Sequence, residues 1–176
     1  MKHIGLHGRG GQGVVVAGEI LAQCYFDSGK YVQFMPSYGA ERRGSPSHSY
    51  IRVDDSEIYQ RYPIESEDIA VIFSLSIIDT AKLKENGILI ANSANLKVKE
   101  KKVEIYIVDA NAIALSLNLG SPAIPIINTT ILGAYCKVTN DFSFDTLASA
   151  IKSKIDKKAD LNIQGAKLAY DSVRCL

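Results

Sequence analysis

The stretch Gly8-Arg9-Gly10-Gly11-Gln12-Gly13 constrains this chain more than any other. A short apolar segment, Ile4-Gly5-Leu6, leads into it, and a long apolar run over residues 14–26 leads out. That order reads as strand, glycine loop, helix. Gly8, Gly10 and Gly13 fall on the G-x-G-x-x-G spacing. In that motif the first glycine permits a tight turn, the second lets a phosphate approach the backbone, and the third lets helix and strand pack closely. The helix that follows aims its unpaired N–H groups and its positive dipole end at the loop, which favours an anion. The same spacing also suits a glycine turn that only packs a helix on a sheet, so the surroundings decide.

Those surroundings admit a phosphate and disfavour an ordinary NAD site. A dinucleotide fold places an acidic residue at the end of the second strand to hold a ribose hydroxyl. Here the second strand, residues 31–36, ends in Pro36-Ser37-Tyr38-Gly39, and Asp27 belongs to the preceding helix. Residues 36–47 form a loop, because two prolines, two glycines and three serines forbid a regular element. The loop carries Arg42 and Arg43, which folding does not need. In a doubly wound sheet this loop and the glycine loop both leave carboxyl ends of strands, the edge where ligands bind. Backbone donors would come from one loop and guanidinium forks from the other. A solvated arginine pair bridged by Glu41 is the competing reading.

The rest of the chain alternates strand and helix. The first helix covers residues 14–28, with Gly29 as its stop and a single polar stripe of Glu19, Gln23 and Asp27. Residues 49–53 and 57–62 read as two strands joined at Asp54-Asp55-Ser56, an antiparallel hairpin closed by Pro63. A buried strand is expected over 68–73, a helix over 76–84, and strands over 88–91 and 104–108. Asp109 caps a helix to about residue 119, Asn128 reads as the cap of a helix through 135, and helices follow over 144–155 and 163–173. Near-continuous apolar strands with helices between them predict an α/β, Rossmann-like, doubly wound and mostly parallel sheet with an inserted antiparallel hairpin, residues 1–176 being one domain.

Composition narrows the function. A net charge of +1 gives no basic field for nucleic acid. No apolar run of 18 or more residues spans a membrane, and residues 1–20 lack a signal-peptide pattern, so the protein is expected in the cytoplasm. Cys24, Cys136 and Cys175 are scattered and odd in number, against zinc or iron–sulfur ligation by this chain. Cys24 reads as a small buried hydrophobe. No Ser-His-Asp order, H-E-x-x-H, Walker lysine or metal-ligand set occurs. His7 abuts the glycine loop and could reach a ligand, although a structural role is its commoner use.

Three stretches resemble one family. They are Gly8-Arg9-Gly10-Gly11-Gln12-Gly13-Val14, then Pro36-Ser37-Tyr38-Gly39-Ala40-Glu41-Arg42-Arg43-Gly44, then Asn128 through Gly133-Ala134. Together they are similar to the gamma subunit of 2-oxoacid:ferredoxin (or other acceptor) oxidoreductases, over essentially the whole chain. Ser45-Pro46 stands where that family often has another glycine. The resemblance implies a multi-subunit enzyme that decarboxylates a 2-oxoacid with coenzyme A and passes two electrons to ferredoxin or a similar acceptor. Thiamine diphosphate and iron–sulfur clusters would sit on alpha, beta and delta-type partner subunits. This chain would have no catalytic residue of its own and would help hold coenzyme A through Gly8, Arg9, Gly10, Gly11, Gln12, Gly13, Ser37, Tyr38, Gly39, Glu41, Arg42, Arg43 and Asn128. A free-standing nucleotide-binding module or regulator is the alternative.

Overall fold

Seven strands build the central sheet in the computed structural model, which describes residues 1–37, 44–97 and 102–176. The elements run β1 (Lys2–Arg9), α1 (Val14–Asp27), β2 (Tyr31–Ser37), β3 (Pro46–Asp54), β4 (Glu67–Ile72), a 3-10 turn (Leu75–Thr80), β5 (Leu83–Asn92) and β6 (Glu104–Val108). Then come α2 (Ala110–Ser116), β7 (Gly120–Ser121), β8 (Ile124–Pro125), α3 (Asn128–Thr139), α4 (Phe144–Lys154), α5 (Ala159–Ser172) and β9 (Arg174–Cys175). The sheet order is β2-β3-β1-β4-β5-β6-β9, with β7 and β8 pairing separately. β1, β4, β5 and β6 are parallel neighbours, and β3 runs antiparallel between β1 and β2. The mostly parallel sheet with an antiparallel insertion is therefore present.

The insertion is built from other strands than the sequence suggested. β3 pairs with β1 on one side and β2 on the other, so neither edge is left for residues 57–62. That segment is irregular and lies against β2 and β3 instead. Its carbonyls take side-chain donors, Gln33 Nε2 reaching Gln60 O at 3.0 Å and Arg52 Nη2 reaching Tyr62 O. The helix expected over 76–84 is also absent. Ile77 leaves helical geometry at φ −127° and kinks the segment, which runs only as 3-10 turns from Leu75 to Thr80, and Leu83 already pairs with Glu67 as β5 begins.

The two sheet faces are covered differently. Ile4, Leu6, Ile51, Ile69, Val71 and Ile90 pack against residues of all five α-helices. The opposite face carries Ala70, Ile72, Leu89, Ala91, Ile105 and Ile107 under the 3-10 turn and connecting segments. Burying these apolar side chains supplies the main favourable term in folding, roughly 1.5–3 kcal/mol for each large one. On β1 that second face reads His3, Gly5, His7, two histidines either side of a glycine. The polar stripe of α1 is satisfied at the surface, Glu19 pairing with Lys154 and Gln23 donating to Asp27.

Cys24 and Cys136 are buried, which pushes their thiols up to about 12 and about 11, whereas Cys175 is exposed. Because the thiolate is the reactive form, the isolated native chain should release one equivalent of product rapidly with Ellman's reagent, from Cys175. All three thiols should react only after unfolding. Rapid loss of two or more in the native chain would contradict this burial. Among the described residues, no helix is long and apolar enough to cross a membrane.

Candidate anion-binding site

β1 ends at Arg9, where the glycine loop begins. A side chain at Gly8 would put its Cβ 2.4 Å from the Val14 side chain, so Gly8 is the glycine that lets strand and helix close together. Gln12 folds back over the turn. Its N–H donates to Arg9 O at 3.0 Å, and its Oε1 accepts the Arg9 N–H at 2.7 Å. Gly11 (φ 94°) and Gly13 (φ 75°) take left-handed backbone that other residues resist.

Gly10 has a different role from the one its motif position suggests. Its N–H donates to Ser45 O at 2.8 Å, and the Gly44 N–H returns to Gly10 O at 3.3 Å. Arg9 reinforces this clasp, Nη1 donating to Gly44 O at 2.7 Å and Nε to Ser76 Oγ at 2.9 Å. The far end of the second loop is thus tied to the glycine loop by backbone. Of the residues expected in that loop, Tyr38, Gly39, Glu41, Arg42 and Arg43 lie outside the described residues; Ser37 closes β2 and is exposed.

The free donors lie just beyond Gly10. The first turn of α1 closes with the Ala17 N–H on Gly13 O at 2.9 Å. The N–H groups of Gly11, Gly13, Val14, Val15 and Val16 have no acceptor among the described residues. Asn128 meets them from the other side. It is the first residue of α3, one position inside the cap the sequence suggested, because Ile127 takes the cap position. Asn128 is buried, its Oδ1 accepts the Thr129 N–H at 2.9 Å, and its Nδ2 would lie 2.7 Å from a Cβ on Gly13. Two helix N-termini therefore converge at Gly13 and Asn128, and neither first turn holds an acidic residue. Converging positive dipole ends with spare donors are chemically suited to an anion. The glycine loop and Asn128 are brought together at this end of the sheet.

The sequence did not reveal the polar cluster below this loop. His7, which is fully buried, places Nε2 2.8 Å from Oε1 of the buried Glu67. Its Nδ1 lies 3.0 Å from Nδ1 of half-buried His48, directly opposite it on β3. Glu67 reaches His7 across Gly5, where a Cβ would stand 2.4 Å from the carboxyl carbon. The one legible trace was Gly5 itself, a glycine inside an apolar strand, which marks a close approach. Burial pushes the His48 imidazole below its ordinary value, His7 adds to this, and Glu67 opposes it.

An open, largely parallel α/β sheet with a glycine loop and a helix N-terminus at the carboxyl end of its first strand defines the Rossmann-like class of ligand-binding domains. Residues 3–172 match the family described as pyruvate ferredoxin/flavodoxin oxidoreductase, and the chain belongs to that family. It is 40% identical to the pyruvate synthase subunit PorC of Methanothermobacter marburgensis over 99% of this chain and 98% of that one. The crystal structure of pyruvate oxidoreductase subunit PORC from Thermotoga maritima superposes with a TM-score of 0.80 at 31% identity, covering 99% of both chains. The fold also recurs in 2-oxoglutarate:ferredoxin oxidoreductase from Magnetococcus marinus, a structure with 2-oxoglutarate, coenzyme A and succinyl-CoA bound. There the TM-score is 0.77 at 19% identity, over 98% of this chain and 32% of that one.

Proposed function

We propose that this chain is the gamma subunit of a multi-subunit 2-oxoacid:ferredoxin (or other acceptor) oxidoreductase, and that its part is to hold the phosphates of coenzyme A. The observation that carries this is the meeting of two helix N-termini at Gly13 and Asn128, with spare N–H groups and no acidic residue in either first turn. The pyrophosphate of coenzyme A suits the free donors of Gly11 and residues 13–16. The separate ribose phosphate suits the planar forks of Arg42 and Arg43. Ser37, Tyr38, Gly39 and Glu41 belong to the same proposed set of contacts.

Nothing in the described residues offers an electron sink, so carbanion chemistry belongs to thiamine diphosphate on a partner subunit. Iron–sulfur clusters and the docking of ferredoxin belong to alpha, beta and delta-type partners. Residues 1–176 act as one domain in this assembly, in the cytoplasm. Family membership over residues 3–172 favours the subunit reading over a free-standing regulator.

Amide hydrogen exchange in the complete enzyme tests the site. Saturating coenzyme A should slow exchange of Gly11 and residues 13–16 by about tenfold or more, because a charge-assisted bond is worth roughly 1.5–3 kcal/mol and 1.4 kcal/mol is a factor of ten. Unaltered exchange there, in enzyme that turns over with coenzyme A, would overturn the assignment.

A further inference from the structure

We infer that His48 is a proton-accepting catalytic residue, held by the relay Glu67–His7, and that it takes the thiol proton of the co-substrate. This rests on the coenzyme A reading above.

The hydrogen count sets the relay's direction. With Glu67 as carboxylate, Oε1 accepts from His7 Nε2–H. His7 Nδ1 is then left as an acceptor. Thr80 lies 3.3 Å from that nitrogen, but its single hydroxyl hydrogen serves Ile77 O at 2.7 Å. The donor to His7 must therefore be His48 Nδ1–H, which fixes the His48 tautomer and leaves Nε2 as a bare lone pair. His48 is partly exposed, while Glu67 and His7 are buried behind it.

Such an arrangement suits a base. When His48 gains a proton at Nε2, its Nδ1–H bond to His7 survives and becomes charge-assisted. The buried carboxylate behind His7 offsets the new charge. Among the described residues Glu67 Oε2 has no hydrogen-bond partner, so its charge is not spent on a second donor there. Among the described residues, the groups facing His48 are His7 on β1, Tyr50 on its own strand, and Glu67 on β4 beyond His7. None of these adds a cation in the tautomers drawn.

The location fits the co-substrate. His48 pairs with Ser37 on β2 and stands two positions along β3 from Pro46, which faces Arg9 at the glycine loop. Thioester formation discards one proton, that of the thiol. In the proposed step the S–H bond breaks, the electron pair stays on sulfur, and an N–H bond forms at His48 Nε2. No other reactant is needed. Glu67 and His7 are positioning residues, since they act through His48.

The test uses the complete enzyme carrying preformed thiamine intermediate, mixed rapidly with coenzyme A across a pH series. His48→Asn keeps an amide donor for His7 Nδ1 but has no basic nitrogen. Its limiting rate of thioester formation should fall by roughly 10²–10⁴-fold, with the acid limb of the profile lost and the KM for coenzyme A within about twofold. Glu67→Gln keeps an acceptor for His7 and removes the charge, so the acid limb should move to lower pH. A merely structural Glu67 would alter stability and leave that limb in place. An intact His48→Asn enzyme with a limiting rate within about threefold of the parent would overturn the proposal. So would a raised KM with an unchanged limiting rate, which would make His48 a binding contact. Failure of the coenzyme A reading would show separately, as Arg42 and Arg43 variants with unaltered coenzyme A kinetics.

Discussion

Alanine at Arg42 or Arg43 should raise the KM for coenzyme A by about tenfold or more per effective arginine, and by about a hundredfold in the double variant. On the proposed reading each guanidinium fork would contribute charge-assisted bonds to phosphate worth roughly 1.5–3 kcal/mol, and each 1.4 kcal/mol is a factor of ten. Formation of the thiamine intermediate, which precedes coenzyme A, should hardly respond, because the proposed assignment puts that step on other subunits. Arginine is also enriched at protein interfaces, so complex integrity must be followed on the same preparation. If the arginines serve the interface, the variants would shed partner subunits on gel filtration, while surviving complex would keep its coenzyme A dependence. An intact complex with unchanged coenzyme A kinetics would rule out phosphate binding by this pair.

Gly133→Ala should produce the largest loss of stability. Gly133 lies on α3 where α5 crosses it, and an added Cβ would stand 1.8 Å from the carbonyl oxygen of Ala166. That contact is with backbone, so no side-chain rotation relieves it. The helices must separate, giving up the packing of Ile131, Ala166 and Ala169, all fully buried. Overpacking of this kind costs about 3 kcal/mol or more. For a chain of this size that lowers Tm by roughly 6–12 °C. Gly165→Ala is the control. Its Cβ would meet only side-chain atoms, the nearest being Thr130 Oγ1 at 3.0 Å. Alanine also favours helix, so the net change should stay within about 1 kcal/mol. Thermal unfolding of the isolated chain, followed by circular dichroism, separates the two. Equal Tm values for both variants would contradict the close contact of α3 and α5.

Much of this architecture could be read from residue patterns. The strand-loop-helix start, the buried runs of β4 to β6 and the Asp109 cap are local, and Asp109 does accept the Ala112 N–H at 2.9 Å. The errors share a cause. Residues 57–62 alternate like a strand, but β3 had already used both its edges, a fact of topology that no local pattern contains. Residues 76–84 looked helical, yet Leu83 was claimed by a bridge to Glu67. At the site, the glycine spacing pointed to an anion cradle but misplaced the role of Gly10, whose amide is committed to Ser45 from a loop 35 residues away. The Glu67–His7–His48 relay was hidden for the same reason. Its members are 60 and 41 residues apart and meet only through strand pairing.

The central claim is that this chain grips the phosphates of coenzyme A. The most direct measurement compares the KM for coenzyme A with that for dephospho-coenzyme A, which lacks only the ribose phosphate, in intact enzyme. The parent should favour coenzyme A by about tenfold or more, and the Arg42→Ala/Arg43→Ala double variant should treat the two alike. A parent enzyme that does not distinguish them, or a double variant that keeps the full preference, would contradict the account.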